Sequence, residues 1–265
     1  MSGSTAVRYR AAVAYVGTAF RGFQYQENAA RTVQAVLERA IGTFSAASPA
    51  HVRVHAAGRT DAGVHADGQV IHFDLPAERD PVRIRNGVNS LLPGDVRILA
   101  VARAPEGFLA RRDAVWKEYL YRWSRAEVIA PRDAPFVAPL APSAGARPMR
   151  RAAALLEGRH DFSAFGVRMG RGETGVRRLH FVRIEERGEE IRALFRGDAF
   201  LRGMVRSICG VLAHVARGKA PEDRTRRLLE DRDPRLLAPK APAHGLTLVR
   251  VAYPGDPFGV TPDVE

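Results

Sequence analysis

The segment Gly58-Arg59-Thr60-Asp61-Ala62-Gly63-Val64-His65-Ala66-Asp67-Gly68-Gln69-Val70-Ile71-His72-Phe73-Asp74-Leu75 joins a glycine-bounded loop to an alternating apolar run. Gly58 and Gly63 permit tight turns and close approach of another backbone. Thr60 and Asp61 can bond locally to main-chain amides, so the first nine residues stay out of regular structure. From Gln69 onward Ile71, Phe73 and Leu75 fall on one side, the pattern of a strand with a core face. The run His51 to Ala57 reads as the strand that enters the loop. Two consecutive strands with no helix between them therefore sit in the middle of the N-terminal half.

Outward from that pair, Arg8 to Val16 reads as a strand and is followed by a turn rich in Gly, Phe and Gln through Gln26. Thr32 caps a helix whose Val33, Val36, Leu37, Ala40 and Ile41 share a face. A helix around Pro81 to Leu92 and a strand from Val96 to Ala102 complete an order β-α-β-β-α-β, that of a split-βαβ or ferredoxin-like unit. The second half repeats the order. Val115 to Trp123 is a strand and Pro148 to Leu156 a helix, and Leu179 to Glu185 and Ile191 to Arg196 form a hairpin around Gly188. Leu201 to Ala216 is a long amphipathic helix, Glu222 to Leu229 a short one, and Leu246 to Val251 the last strand. The expected architecture is α+β, with one ferredoxin-like half at residues 1–107 carrying the Asp61 loop and a second at 108–265. Two stretches are irregular. Ala130 to Arg147 is rich in Pro and Ala and reads as surface; Gly166 to Arg178 interleaves arginine with glycine, which suits either mobile surface or a loop that grips RNA.

A chain of 265 residues with 46% hydrophobic content can bury a core without staples. Cys209 is the single cysteine, which excludes an intramolecular disulfide and any cysteine-cluster metal site and suits a reducing cytoplasm. Met1 to Ala6 is small and polar, and no run approaches the roughly 20 apolar residues a membrane span needs. These features predict a soluble cytoplasmic protein with no membrane partner. The net charge of +12 favours a polyanion, nucleic acid above all. Lysine occurs only at Lys117, Lys219 and Lys240, so the positive charge is nearly all arginine, which bonds phosphate in bidentate fashion and stacks on bases.

Several residues could carry chemistry. Asp61 beside Arg59 is a carboxylate presented in a glycine-bounded loop; an ordinary surface turn would look the same. Arg206 lies in the Leu201 to Ala216 helix on a face shared with Gly203 and Gly210, small neighbours that let another segment approach. It is either a solvated helix charge or a cation that pairs with a carboxylate, lowering its pKa and fixing its orientation. On the Val115 to Trp123 strand, Tyr119, Tyr121 and Trp123 share a face with Lys117, opposite Trp116 and Leu120. Tyr121 and Trp123 suit the core; Tyr119 suits either the core or contact with a base. His51, His55, His65 and His72 match no familiar zinc spacing, and neither a phosphate-binding loop nor a dinucleotide fingerprint occurs, so no metal or nucleotide cofactor is expected.

Together these pieces resemble the tRNA pseudouridine synthase A family. The central match is Ala57 to His65 with Gly68-Gln69-Val70-Ile71-His72-Phe73. Agreement continues at Phe20-Arg21-Gly22-Phe23-Gln24, Leu92-Pro93-Gly94-Asp95-Val96 and Tyr119-Leu120-Tyr121. It resumes at His160-Asp161-Phe162-Ser163-Ala164-Phe165, at Phe200-Leu201 with Met204-Val205-Arg206 and Ile208, and at Gly245-Leu246. Val16, Leu109 and Cys209 depart from the family pattern, none of them at an expected reactive position.

The resemblance implies two ferredoxin-like halves joined through a mostly antiparallel central sheet with a basic cleft, and a homodimer. It implies isomerisation of uridine to pseudouridine in the anticodon stem-loop of tRNA, at positions 38, 39 and 40, without metal or cofactor. Asp61 is then the essential carboxylate and Arg206 its partner. Tyr119 stacks on the target base, and Arg59 helps the uridine out of the helix. Asp61 comes from one half and Tyr119 and Arg206 from the other, so the site is expected where the halves meet. Two rivals remain at this stage: a non-catalytic basic RNA-binding protein on the same scaffold, and a glycosidic hydrolase using Asp61, which would need a second working carboxylate or a metal cluster.

Overall fold

The computed structural model describes residues 6–27, 31–46, 52–167, 174–255 and 258. The chain is mixed α+β and divides into two compact units, Met1–Val115 with Arg250–Glu265, and Trp116–Val249. Among the described residues no helix is long and apolar enough to cross a membrane.

The first unit contains β1 (Val7–Tyr15), α1 (Val33–Ser45), β2 (His55–Ala56), β3 (His65–Leu75), α2 (Pro81–Leu91) and β4 (Val96–Arg103). This is the order read from the sequence. β1 pairs antiparallel with both β3 and β4, and β2 pairs antiparallel with β3, giving the sheet order β4-β1-β3-β2. That order is what a split βαβ unit requires. On β1 the alternate residues Tyr9, Ala11, Val13 and Tyr15 are buried. Each helix starts at a side-chain cap: Thr32 accepts from the Ala35 amide and Asp80 from the Arg83 amide, the latter reinforced by Pro81 in the first turn. Val33, Leu37, Ala40 and Ile41 of α1 are buried as expected, with Val36 only half so.

Two strand readings change. The strand expected over His51 to Ala57 is reduced to His55–Ala56, with His51 outside the described residues. The amide of Val54 is taken by Glu38 Oε1 of α1 at 3.0 Å, so that stretch is tied to a helix side chain and not to a ladder. β3 begins four residues earlier than the Gln69 predicted, and it is buried on both faces from Gln69 to Phe73, where alternation had indicated one.

The second unit holds β5 (Trp116–Ser124), β6 (Ala138–Pro139), α3 (Ala146–Ala154), β7 (Gly158–Asp161), β8 (Val176–Arg187), β9 (Glu190–Gly197), α4 (Met204–Ala216) and α5 (Arg224–Glu230), and the last strand β10 (Leu246–Ala252) leads the chain back to the first unit. β5 pairs antiparallel with β9, β9 with β8, and β8 with β7, while the short β6 runs parallel beside β5. With β5, β8 and β9 standing for β1, β2 and β3, the neighbour order is the same in both units. The helix α3 packs on β8 and α4.

β6 and β7 were not read from the sequence; both are four residues or fewer, too short for a periodicity to register. Of the Gly166 to Arg178 stretch, residues 168–173 lie outside the described residues and the rest is more regular than expected, since β8 starts at Val176. α4 starts at Met204, three residues later than predicted. Arg202 forms a bridge with Val167, whose amide donates to the Arg202 carbonyl at 3.1 Å, and Gly203 at φ +75° turns the chain into the helix.

Candidate active site

The Asp61 loop is anchored from two directions. On its inner side Thr60 is buried and its Oγ1 lies 2.8 Å from the Tyr15 hydroxyl of β1. The Nε2 of Gln69, a fully buried residue of β3, donates to the Gly58 carbonyl at 2.8 Å and lies 3.5 Å from the same Tyr15 hydroxyl. Thr60 thus reaches across to a strand, where the sequence had suggested a local amide. Burial pushes the Tyr15 phenol up to about 12, so it stays neutral over any working pH.

On its outer side the loop meets the turn Phe20–Gln24. The Phe23 amide donates to the Thr60 carbonyl at 3.1 Å and the Gly63 amide to the Phe20 carbonyl at 3.3 Å. Phe20 and Phe23 are buried, and the Arg31 guanidinium stacks over Phe20 at 4.2 Å while pairing with Asp95 at 2.7 and 2.8 Å. Gly22, at φ +96°, sits where a Cβ would come within 3.0 Å of the Thr60 carbonyl oxygen and 3.3 Å of the Ala62 amide nitrogen. Three of the sequence blocks quoted for the resemblance are therefore one physical assembly: the Asp61 loop, the turn that grips it, and the Asp95 segment that holds Arg31. Within it Asp61 is half-buried, its carbonyl accepting from the Val64 amide at 3.2 Å, and Arg59 is exposed.

Gly22→Ala should strain this contact. An alanine at that φ costs about 1–3 kcal/mol, so thermal unfolding should show a lower midpoint. An unchanged midpoint would mean that the turn and the loop do not meet as described.

The described histidines of this unit, His55, His65 and His72, have structural partners. His65 Nδ1 accepts from the Gly17 amide at 3.0 Å and His72 Nδ1 from the Ala110 amide at 3.1 Å. His55 stacks on His72 with centroids 4.8 Å apart, and burial, with the charge of His55 added, lowers the His72 pKa to about 4. His72 is a neutral acceptor.

In the second unit, Tyr119 lies on β5 and is buried, its ring edge-on to Phe200 at 5.0 Å. Tyr121 and Trp123 are buried more completely, and the Tyr121 hydroxyl donates to the Pro242 carbonyl at 2.9 Å. The half-buried face of the same strand carries Trp116, over which Arg196 stacks at 4.2 Å while bonding Glu118 at 2.8 Å.

Helix α4 is more buried than an amphipathic pattern predicts. Eleven of its 13 residues are buried, and the two that are not are Arg206 and His214. Arg206 is therefore not one charge on a solvated face, because the helix has no such face. Its Nε donates to the Ala241 carbonyl at 3.0 Å, and the Ala241 amide donates back to the Arg206 carbonyl at 3.1 Å. Close approach by another segment, expected from the glycines, is made by Pro239–Ala241: a Cβ on Gly210 would lie 2.2 Å from the Pro239 carbonyl oxygen.

Sequence reading missed Tyr15, Gln69, Phe200 and the Ala241 carbonyl. A glutamine at the head of the run Gln69 to Phe73 was a usable signal at Gln69. Nothing in the sequence distinguished Ala241.

A family model described as tRNA pseudouridine synthase matches residues 11–111 and 152–254. The chain belongs to the tRNA pseudouridine synthase family. Similar chains include tRNA pseudouridine synthase A of Exiguobacterium sibiricum, 37% identical over 253 residues, covering 96% of this chain and 99% of that one. The protein of the same name from Thermus thermophilus is 38% identical over 252 residues, with 91% and 94% covered. That of Methylobacterium nodulans is 41% identical over 255 residues, with 93% and 96% covered.

Proposed function

We propose that this chain isomerises uridine to pseudouridine in the anticodon stem-loop of tRNA, at positions 38, 39 and 40, with Asp61 as the reactive carboxylate. Isomerisation of uridine in tRNA follows from family membership; the anticodon target, the residue roles, the homodimer and the cytoplasmic location are the proposal's own. The observation that carries it is the anchoring of the Asp61 loop by β1, β3 and the Phe20–Gln24 turn, which a surface turn would not need.

The reaction breaks the N1–C1′ bond, turns the uracil, joins C5 to C1′ and releases the C5 proton, while N1 takes up a proton. Asp61 can serve by attacking carbon or by removing a proton near the sugar. Arg206 keeps that carboxylate ionised and aimed, and Tyr119 stacks on the base with its hydroxyl near the departing C5 proton. A paired uridine must first leave its stack, at a cost of a few kcal/mol, and exposed Arg59 fills or stabilises the vacated position. The net charge of +12 supports binding through phosphates, with affinity falling steeply as salt rises.

The deciding test is tRNA labelled with tritium at C5 of uridine. Release of tritium to water, matched by pseudouridine at the three positions in a nuclease digest, is the expected result. Free uracil would indicate a hydrolase, and neither product a binding protein; either outcome overturns the reading.

A further inference from the structure

Most polar groups in the core of the first unit have an evident structural use, but Gln69 and Tyr15 do not. Gln69 is wholly buried in β3, a strand buried on both faces, where a methionine or leucine would fill the volume at no polar cost. Its amide is oriented by the Gly58 carbonyl; the flipped amide would set oxygen against oxygen. In that orientation Oε1 is buried with no protein partner among the described residues. A buried acceptor left so has given up its hydration without a replacement bond. For the fold alone this arrangement is unfavourable.

Tyr15 stands at the end of β1 beside an irregularity in the β1–β3 register, between Val13 paired with Gln69 and Tyr15 paired with Ala66. A bulge of this kind re-aims the side chain next to it. Here the Tyr15 hydroxyl is delivered to the Thr60 Oγ1 at 2.8 Å, with its ring buried against Phe23. Gln69 therefore fixes the backbone three residues before Asp61, and Tyr15 fixes the side chain immediately before it.

We infer that Gln69 and Tyr15 are positioning residues for the reaction, a buried polar clamp that sets where the Asp61 carboxylate stands. The inference rests on Asp61 being the reactive group. A local rule of core packing is broken at Gln69, and the break touches the reactive loop; such exceptions mark function more than stability. A displacement on the order of 1 Å of a catalytic group lowers the rate by about 100-fold.

The test uses the full-length chain with substitutions Gln69→Met and Tyr15→Phe, each close in volume to the original. Both should retain tRNA affinity while the single-turnover rate at saturating tRNA falls by about 10–100-fold. Gln69→Met removes both the unpartnered acceptor and the bond to the Gly58 carbonyl, opposing effects, so it should unfold close to the temperature of the parent. At Thr60, Ser should restore what Val loses, since only the hydroxyl meets Tyr15. Parental rates in both Gln69→Met and Tyr15→Phe overturn the inference. So does a rate loss that vanishes at low temperature, where a destabilised variant is fully folded, or one matched by an equal loss of affinity. If instead the parent chain makes no pseudouridine, or Asp61→Asn remains active, the assignment of function fails and the clamp falls with it, a result distinct from parental rates in the Gln69 and Tyr15 variants of an Asp61-dependent enzyme.

Discussion

Asp61→Asn is expected to bind tRNA as the parent does and to form no measurable pseudouridine. The loss should be at least about four orders of magnitude in single-turnover rate, the scale on which removing a nucleophile acts. The substitution changes charge and basicity with almost no change in shape. Bonds from the backbone of Phe20, Phe23, Thr60 and Gly63 and from the side chains of Tyr15, Thr60 and Gln69 anchor the loop, and these survive the substitution. An amide can neither attack the sugar carbon nor remove a proton at useful rates, so either role for Asp61 predicts the same outcome. Tritium release, tRNA binding and thermal unfolding measured on one preparation separate loss of chemistry from loss of fold. Turnover within about tenfold of the parent, a difference of only about 1.4 kcal/mol, would remove Asp61 from the reaction.

How far the fold was legible depended on the length of each element. The start of α1 was legible because Thr32 caps a helix with an apolar face, and α2, read around Pro81 to Leu92, spans Pro81–Leu91. β7, with four residues, left no periodic trace. The helix α4 was found but its start misplaced, since Leu201 and Arg202 are compatible with a helix in isolation; the pairing of Arg202 with Val167 and the left-handed Gly203 hold them out of it. The second strand failed for a related reason: the Val54 amide is claimed by Glu38, a residue 16 positions earlier, and no local pattern encodes that.

The candidate site shows the same division. Asp61, Arg59, Tyr119 and Arg206 could be singled out because their residue types and neighbours suggested chemistry. What supports them was hidden, because support is made of long-range contacts. Tyr15 lies 45 residues from Thr60, and Ala241 lies 35 residues from Arg206. The match at Phe20–Gln24 was visible as a string; that it clamps the Asp61 loop emerges only when the Phe23 amide is seen on the Thr60 carbonyl.

Arg206→Leu should lower the single-turnover rate by about 100- to 1,000-fold, the effect of removing one preorganised charge at a reacting centre. The fold should tolerate it. The packing of α4 is carried by Met204, Ile208, Val211, Leu212 and Val215, none of which changes, and the Ala241 amide still meets the backbone carbonyl at position 206. The hydrogen bond from Nε to the Ala241 carbonyl is lost, worth about 1 kcal/mol of stability. That small cost set against a large rate loss is the signature of a working cation. Arg206→Lys sharpens the test: lysine keeps the charge but lacks the guanidinium that holds Ala241 with one nitrogen while presenting others, so it should recover only part of the rate. Full activity in the leucine variant would leave Arg206 no part in the chemistry. A leucine variant that loses rate only as it loses thermal stability would make the arginine a brace for the Pro239–Ala241 segment and nothing more.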